Sequence, residues 1–237
     1  MKAWLRFFRV VNLPTVPGDI WAGAVAVWFG AGIVCDYGAP LINATVAGVL
    51  LYMFGLADND IVGAKTDKAR PIPDGEISLR AARIARGFCL FGALIAGAMA
   101  NLPPAWWIAA FVLAVAVVIY NRTKWCLLMG LCRGLNVVCG AAAVLPSLDA
   151  TGMSRPLWIA MGVALVWTVY IAAVTKYSEG EELDAAKKRR VGFLVGAIVY
   201  LQIIALLCFQ SGIVVLVGAL LVAMRLMKRF LPEVSAS

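Results

Sequence analysis

The chain has 237 residues, 63% of them hydrophobic and only 14% charged, with a formal net charge of +8. Soluble domains carry about half apolar residues, so this composition excludes a water-soluble fold and makes a lipid bilayer the natural solvent. The sequence contains no histidine, which excludes histidine metal ligands, histidine general bases and Ser-His-Asp triads.

The first dozen residues carry Lys2, Arg6 and Arg9 among aromatics, then pass through Pro14 and Pro17 into an apolar run. No A-x-A-like cleavage site interrupts them, so an amphipathic surface anchor is expected there and not a removable leader. A helix needs about 20 residues to cross the hydrocarbon core, with a tolerance of roughly 17–25. Eight apolar runs meet this: 17–34, 41–57, 84–101, 105–120, 126–145, 157–174, 191–208 and 213–227. They recur from end to end with only short polar breaks, so residues 1–237 are read as a single integral membrane domain. The expected fold class is all-α, a polytopic bundle of about eight transmembrane helices.

Lysine and arginine mark the sides. Those at positions 2–9, 65–86, 122–124, 176–190 and 225–229 fall on one side of these runs, whereas Arg155 alone falls on the other and Arg133 lies inside the fifth run. Both termini are therefore expected on the cytoplasmic face, in the inner membrane if the source is bacterial. The positive charge reads as topology and attraction to anionic lipid, with no nucleic-acid partner. The six cysteines fall almost entirely in apolar runs without a C-x-x-C pair and are expected to be reduced packing residues.

Nine of the 13 acidic residues sit in two cytoplasmic loops. Asp58, Asp60, Asp67, Asp74 and Glu76 follow the second run; Glu179, Glu181, Glu182 and Asp184 follow the sixth. If the second helix continues into its loop, Asp60 and Asp67 lie two turns apart on one face with Asn59 beside them. Arg70-Pro71-Ile72-Pro73 then ends it in a rigid turn. Carboxylates next to Lys and Arg at a membrane surface suit a diphosphate bridged by Mg²⁺, which takes oxygen ligands from a few carboxylates plus substrate phosphates. Solvated connectors are the plain alternative for either loop alone, and the matched placement of the two weighs against it.

Arg9-Val10-Val11-Asn12 before the first run and Arg133-Gly134-Leu135-Asn136 in the fifth form a faint internal repeat, compatible with two four-helix halves. Arg133 is a candidate site residue because a charge within a membrane helix needs a polar cavity or a partner, and Asn136 shares its face. Pairing with an acidic residue is the structural alternative, and Asp19, near the start of the first run, is read as a structural residue that caps that helix or pairs with Arg133.

These residues resemble the UbiA superfamily of intramembrane prenyltransferases. Asn59, Asp60 and Asp67, followed by Arg70, Pro71 and Gly75, are similar to its N-D-x-x-D-x-x-x-D motif and R-P-x-x-x-G tail. The loop after the sixth run is similar to its D-x-x-x-D motif. Asn12-Leu13-Pro14-Thr15, Tyr120-Asn121-Arg122-Thr123-Lys124 and Arg133-Gly134-Leu135-Asn136 also look like family landmarks. The departures are specific. Gly63 stands for the middle aspartate of the first motif and Tyr177 for the first aspartate of the second, where Glu181 replaces the last. Asp58 and Glu179 are close enough in sequence to substitute, and one of the family's usual nine helices looks absent.

The resemblance implies Mg²⁺ held by Asn59, Asp60, Asp67 and Glu179 or Glu181, gripping a polyprenyl diphosphate whose tail enters an apolar groove. It implies Arg70, Arg122, Lys124 and Lys176 as phosphate cations, and Asp60, Asp67 and Arg133 as the catalytic set, with Arg133 and Asn136 orienting the acceptor or the diphosphate. The product would be a small aromatic or other acceptor carrying the prenyl group. Two other readings stay open on the sequence: a transporter, and a family member that binds lipid without catalysis.

Overall fold

The computed structural model describes residues 1–33, 38–65, 70–145, 154–179, 185–209, 212 and 214–230. Among these there are nine α-helices and no strand: α1 (Lys2–Phe7), α2 (Thr15–Ala31), α3 (Ala39–Val62), α4 (Leu79–Met99), α5 (Pro104–Thr123), α6 (Cys126–Val144), α7 (Ser154–Ser178), α8 (Ala185–Cys208) and α9 (Val214–Phe230). The eight long helices fall on the eight apolar runs with shifted ends. Seven are long and apolar enough to cross a membrane, so the chain is a multi-pass membrane protein. The eighth, α9, is described over 17 residues.

Helix α2 is the axis of the bundle. Apart from Thr15 and Asp19 it is apolar all round, as suits a buried helix, and Val16, Ile20, Val25, Val27 and Trp28 are all essentially inaccessible. It packs against α3, α6, α7 and α8. The outer helices expose Phe88, Phe91, Ile108, Phe111, Phe193 and Ile204, which in a bilayer is the lipid-facing surface. With lipid on that side, apolar burial does not drive the helices together; close approach of small residues does. At the α2–α6 crossing a Cβ on Gly23 would lie 1.9 Å from the carbonyl oxygen of Val137, and one on Gly140 would lie 1.9 Å from that of Ile20. Backbone thus meets backbone at both places. Gly140→Leu is expected to lower unfolding stability by about 3 kcal/mol, read as a fall in the thermal midpoint in detergent, and an unchanged midpoint would show that the crossing tolerates separation.

A second, smaller apolar cluster of Phe7, Ala57, Ile77 and Ala82 pins α1 and the segment before α4 to the end of α3. Arg6 reinforces it through Glu76 at 3.1 Å and Asp74 at 3.7 Å. The intervening turn closes with Ile77 N–H donating to the Pro71 carbonyl at 3.0 Å, and Gly75 takes φ +74°, a left-handed conformation that glycine adopts without steric cost. This folding brings Arg6, Arg9, Asp60, Arg70, Asp74 and Glu76 together at one end of the bundle.

Candidate functional site

Asp58, Asn59 and Asp60 are consecutive near the end of α3, and all three are buried. Successive helical residues are about 100° apart, so they point three ways. Asp58 turns toward α4 and α5, where Arg86 donates to Oδ1 at 2.8 Å, Asn121 Nδ2 donates to Oδ2 at 3.0 Å and Arg122 stands at 3.6 Å. Asp60 turns toward the N-terminal segment and accepts from Arg70 and, at 3.3 Å, from Arg9 Nη2. Asn59, between them, accepts from Lys124 Nζ.

Arg9 and Lys124 share a feature that ordinary loop residues lack. Arg9 has φ 42° and Lys124 has φ 55°, left-handed values that cost a residue with a Cβ of order 1 kcal/mol or more. Arg9 holds its conformation just before the 3-10 turn Val10–Asn12, and Lys124 holds its own where α5 ends and its N–H meets the Tyr120 carbonyl at 2.7 Å. Burial pushes the Arg9 guanidinium below its ordinary pKa, with the Arg70 charge adding to the effect, while Asp60 opposes it.

These groups form the mouth of a cavity of about 350 Å³. Arg9, Asn59, Arg70 and Lys124 line the polar end, and Leu51, Leu56, Leu113, Val117, Met129 and Ile198 are among the apolar residues of its wall. Tyr120 lies beneath Lys124, with Nζ 5.5 Å from the ring centre. Asn12, Arg133 and Asn136 line it too, so both halves of the faint R-x-x-N repeat meet at one chamber.

Farther in, Arg133 and Asp19 form a buried ion pair joining α6 to α2. Nε stands 2.9 Å from Oδ2 without hydrogen-bond alignment, and Nη2 donates to Oδ1 at 3.2 Å and to the Thr15 carbonyl at 3.0 Å. Asp19 Oδ1 also accepts from Trp167 Nε1 at 2.8 Å and Gln202 Nε2 at 2.6 Å, which ties in α7 and α8. Gly18 makes the room: a Cβ there would lie 2.2 Å from Gln202 Oε1.

The sequence matches the model of the UbiA prenyltransferase family over residues 20–231. This chain belongs to that family. Its fold is similar to solved UbiA-family structures. One, of a UbiA homolog from Archaeoglobus fulgidus bound to DMAPP and Mg²⁺, shares 15% identity over 98% of this chain and 87% of its own, with TM-score 0.58. The same homolog bound to GPP and Mg²⁺ aligns equally well, at 15% identity over 98% of this chain and 88% of its own with TM-score 0.58. A structure concerned with digeranylgeranylglyceryl phosphate synthase covers all of this chain and 91% of its own, at 14% identity and TM-score 0.57. No curated protein matches the sequence.

In this UbiA-family chain the predicted site residues separate into three groups. Asn59, Arg70, Lys124, Arg133 and Asn136 line the cavity, and Asp60 stands directly behind Arg9 and Arg70. Arg122 and Lys176 are not on its wall: Arg122 is held beside Asp58, while Lys176 pairs with Glu179 at 2.8 Å on an exposed turn. Asp67 and Glu181 lie outside the described residues. Among the described residues no three cysteine or acidic side chains converge on a metal position. Asn59 and Asp60 do offer hard oxygen donors that already face cationic partners, which is the donor chemistry Mg²⁺ takes. Sequence reading did not place Arg9 in the site, although the Arg9–Asn12 echo of Arg133–Asn136 was its visible signal. Tyr52, Trp167 and Gln202 left no signal there.

Proposed function

We propose that this UbiA-family chain transfers a polyprenyl group from a polyprenyl diphosphate to an aromatic or other small acceptor within the membrane, with Mg²⁺ as cofactor. The observation that carries this reading is the two-part cavity: Arg9, Arg70, Lys124 and Asn59 at its polar end, an apolar wall beyond. A diphosphate head and an isoprenoid tail require that combination. The Archaeoglobus homolog bound to DMAPP or GPP with Mg²⁺ supports the donor class.

In this reading the allylic C–O bond ionises, diphosphate leaves with the electron pair, and the acceptor attacks the allylic cation and gives up a proton. Lys124, Arg70 and Arg9 neutralise charge as it accumulates on the leaving oxygens, and their fixed placement means little reorganisation is needed at that moment. Asp60 holds the two guanidiniums in position. The electron-rich faces of Tyr52 and Tyr120, both on the cavity wall, suit the passing cation. Asn59 and Asp60, with Asp67, Glu179 and Glu181 as the resemblance implies, would hold Mg²⁺, which supplies Lewis-acid assistance to diphosphate departure.

A competing reading, a donor binder without turnover, is favoured by the engagement of Asp60 with two guanidiniums and by Gly63 where the family carries an aspartate. Lys124→Ala separates a donor-contacting lysine from a structural one. Its donor KM is expected to rise about tenfold, equivalent to a lost contact of about 1.4 kcal/mol, with the unfolding midpoint unchanged. An unaltered donor KM would remove Lys124 from the phosphate site.

A further inference from the structure

Arg9 and Arg70 reach the mouth of the cavity from two different segments, and those segments are tied together a second time. On the N-terminal side the Arg9 N–H donates to the Arg6 carbonyl at 3.0 Å, and on the other the Asp74 N–H donates to the Arg70 carbonyl at 3.1 Å. Asp60 joins Arg9 to Arg70. The Arg6 guanidinium makes the second tie: Nη1 donates to the two oxygens of Glu76 at 3.2 and 3.1 Å, and Nη2 stands 3.7 Å from Asp74 Oδ2. The result is a closed frame with two ionic sides and two backbone sides. Phe7, between Arg6 and Arg9 in sequence, is inaccessible and shares a buried cluster with Ala57 and Ile77, which lie one turn before Asp60 and next to Glu76.

The two ionic sides differ. Asp60 is 2% exposed and Glu76 is 42% exposed, and a solvent-exposed pair taken alone contributes little to stability. The weight of the Arg6 side comes from what it holds. Arg9 has φ 42°, a conformation that persists in a residue with a Cβ only where the surroundings impose it. Its carbonyl accepts from the Asn12 N–H at 2.8 Å, whereas its own N–H is fixed by residue 6. Arg9 and Arg70 are also like charges that meet on the carboxylate of Asp60, so their mutual repulsion works to part the two segments. Arg6, bonded across the gap, opposes that.

We infer that Arg6 is a positioning residue for the diphosphate end of the cavity: by binding Asp74 and Glu76 it closes the frame that keeps Arg9 and Arg70 in place to receive the donor. The inference rests on the prenyl-donor reading of those two cations and adds to it a residue that does not line the cavity.

Arg6→Glu sets a third carboxylate beside Asp74 and Glu76 and opens the frame, and Arg6→Glu/Glu76→Arg restores a pair of reversed sign across it. Hydrogen–deuterium exchange of the full-length protein in nanodiscs reads the frame itself. Peptides covering residues 5–13 and 70–78 are expected to exchange at least about fivefold faster in R6E, with residues 16–28 of α2 unchanged, and to return to within about twofold of wild type in the double variant. Titration calorimetry with inorganic diphosphate and Mg²⁺ reads the consequence, because a misfolded fraction lowers the number of sites whereas displaced cations raise Kd. The Kd is expected to rise about fivefold in R6E and to recover in the double variant. Arg6→Gln, which removes the charge without adding repulsion, is expected to raise it about threefold and decides the matter if R6E does not fold. Unchanged exchange in both segments, faster exchange with an unaltered Kd, or a double variant no better than R6E would each overturn the inference. Failure of the prenyl-donor reading shows separately, as a wild-type protein that does not bind diphosphate, and would remove the positioning role whatever the exchange shows.

Discussion

Replacing Arg133 by leucine is expected to destabilise the protein by about 3–5 kcal/mol, the cost of removing one member of a buried ion pair and stranding the other. Asp19 would keep Trp167 and Gln202 as donors but lose the only cation in contact with it among the described residues. Four helices converge on that carboxylate, so the loss falls on the centre of the bundle and not on one contact. The double variant Arg133→Leu/Asp19→Leu removes both charges and is expected to recover a large part of the loss. Thermal or denaturant unfolding in detergent reads both effects. Coincident curves for R133L and wild type would show that the pair contributes nothing to stability, and a double variant no better than R133L would show that the charge is not the cause.

The second large effect is on turnover. Asp60→Asn keeps the shape of the side chain but removes the negative charge between Arg9 and Arg70, and it weakens a proposed Mg²⁺ donor. The catalytic efficiency for the prenyl donor is expected to fall about a hundredfold or more, equivalent to about 2.7 kcal/mol of transition-state stabilisation. Both arginines remain about a fifth exposed, so water can take up part of their solvation and the helical circular dichroism should not change. Activity within twofold of wild type would remove Asp60 from the catalytic account.

The helices were legible because an apolar run of about 20 residues has one stable form in lipid, where every backbone polar group must be satisfied within the segment. The polar end of the cavity was legible through Asn59, Arg70 and Lys124, which lie near breaks between helices. The orientation of neighbouring carboxylates was not. Asp58 looked in sequence like a stand-in for a missing metal ligand, yet the 100° step to Asn59 turns it to Arg86 and Asn121. The Asp19 network was the least legible, since Trp167 and Gln202 are 148 and 183 residues away in the chain and contacts of that separation leave no periodic mark. Arg133 alone signalled it, through the cost of its charge.

The most direct test of the central claim is release of diphosphate by the purified protein in detergent, offered geranyl, farnesyl, geranylgeranyl and longer prenyl diphosphates with an acceptor extract, with and without Mg²⁺. The account predicts Mg²⁺-dependent release from at least one donor, matched by a prenylated acceptor. Tight donor binding without release would contradict the transferase reading in favour of a binder, and the absence of any Mg²⁺-dependent interaction would contradict the assignment of the cavity to a prenyl diphosphate.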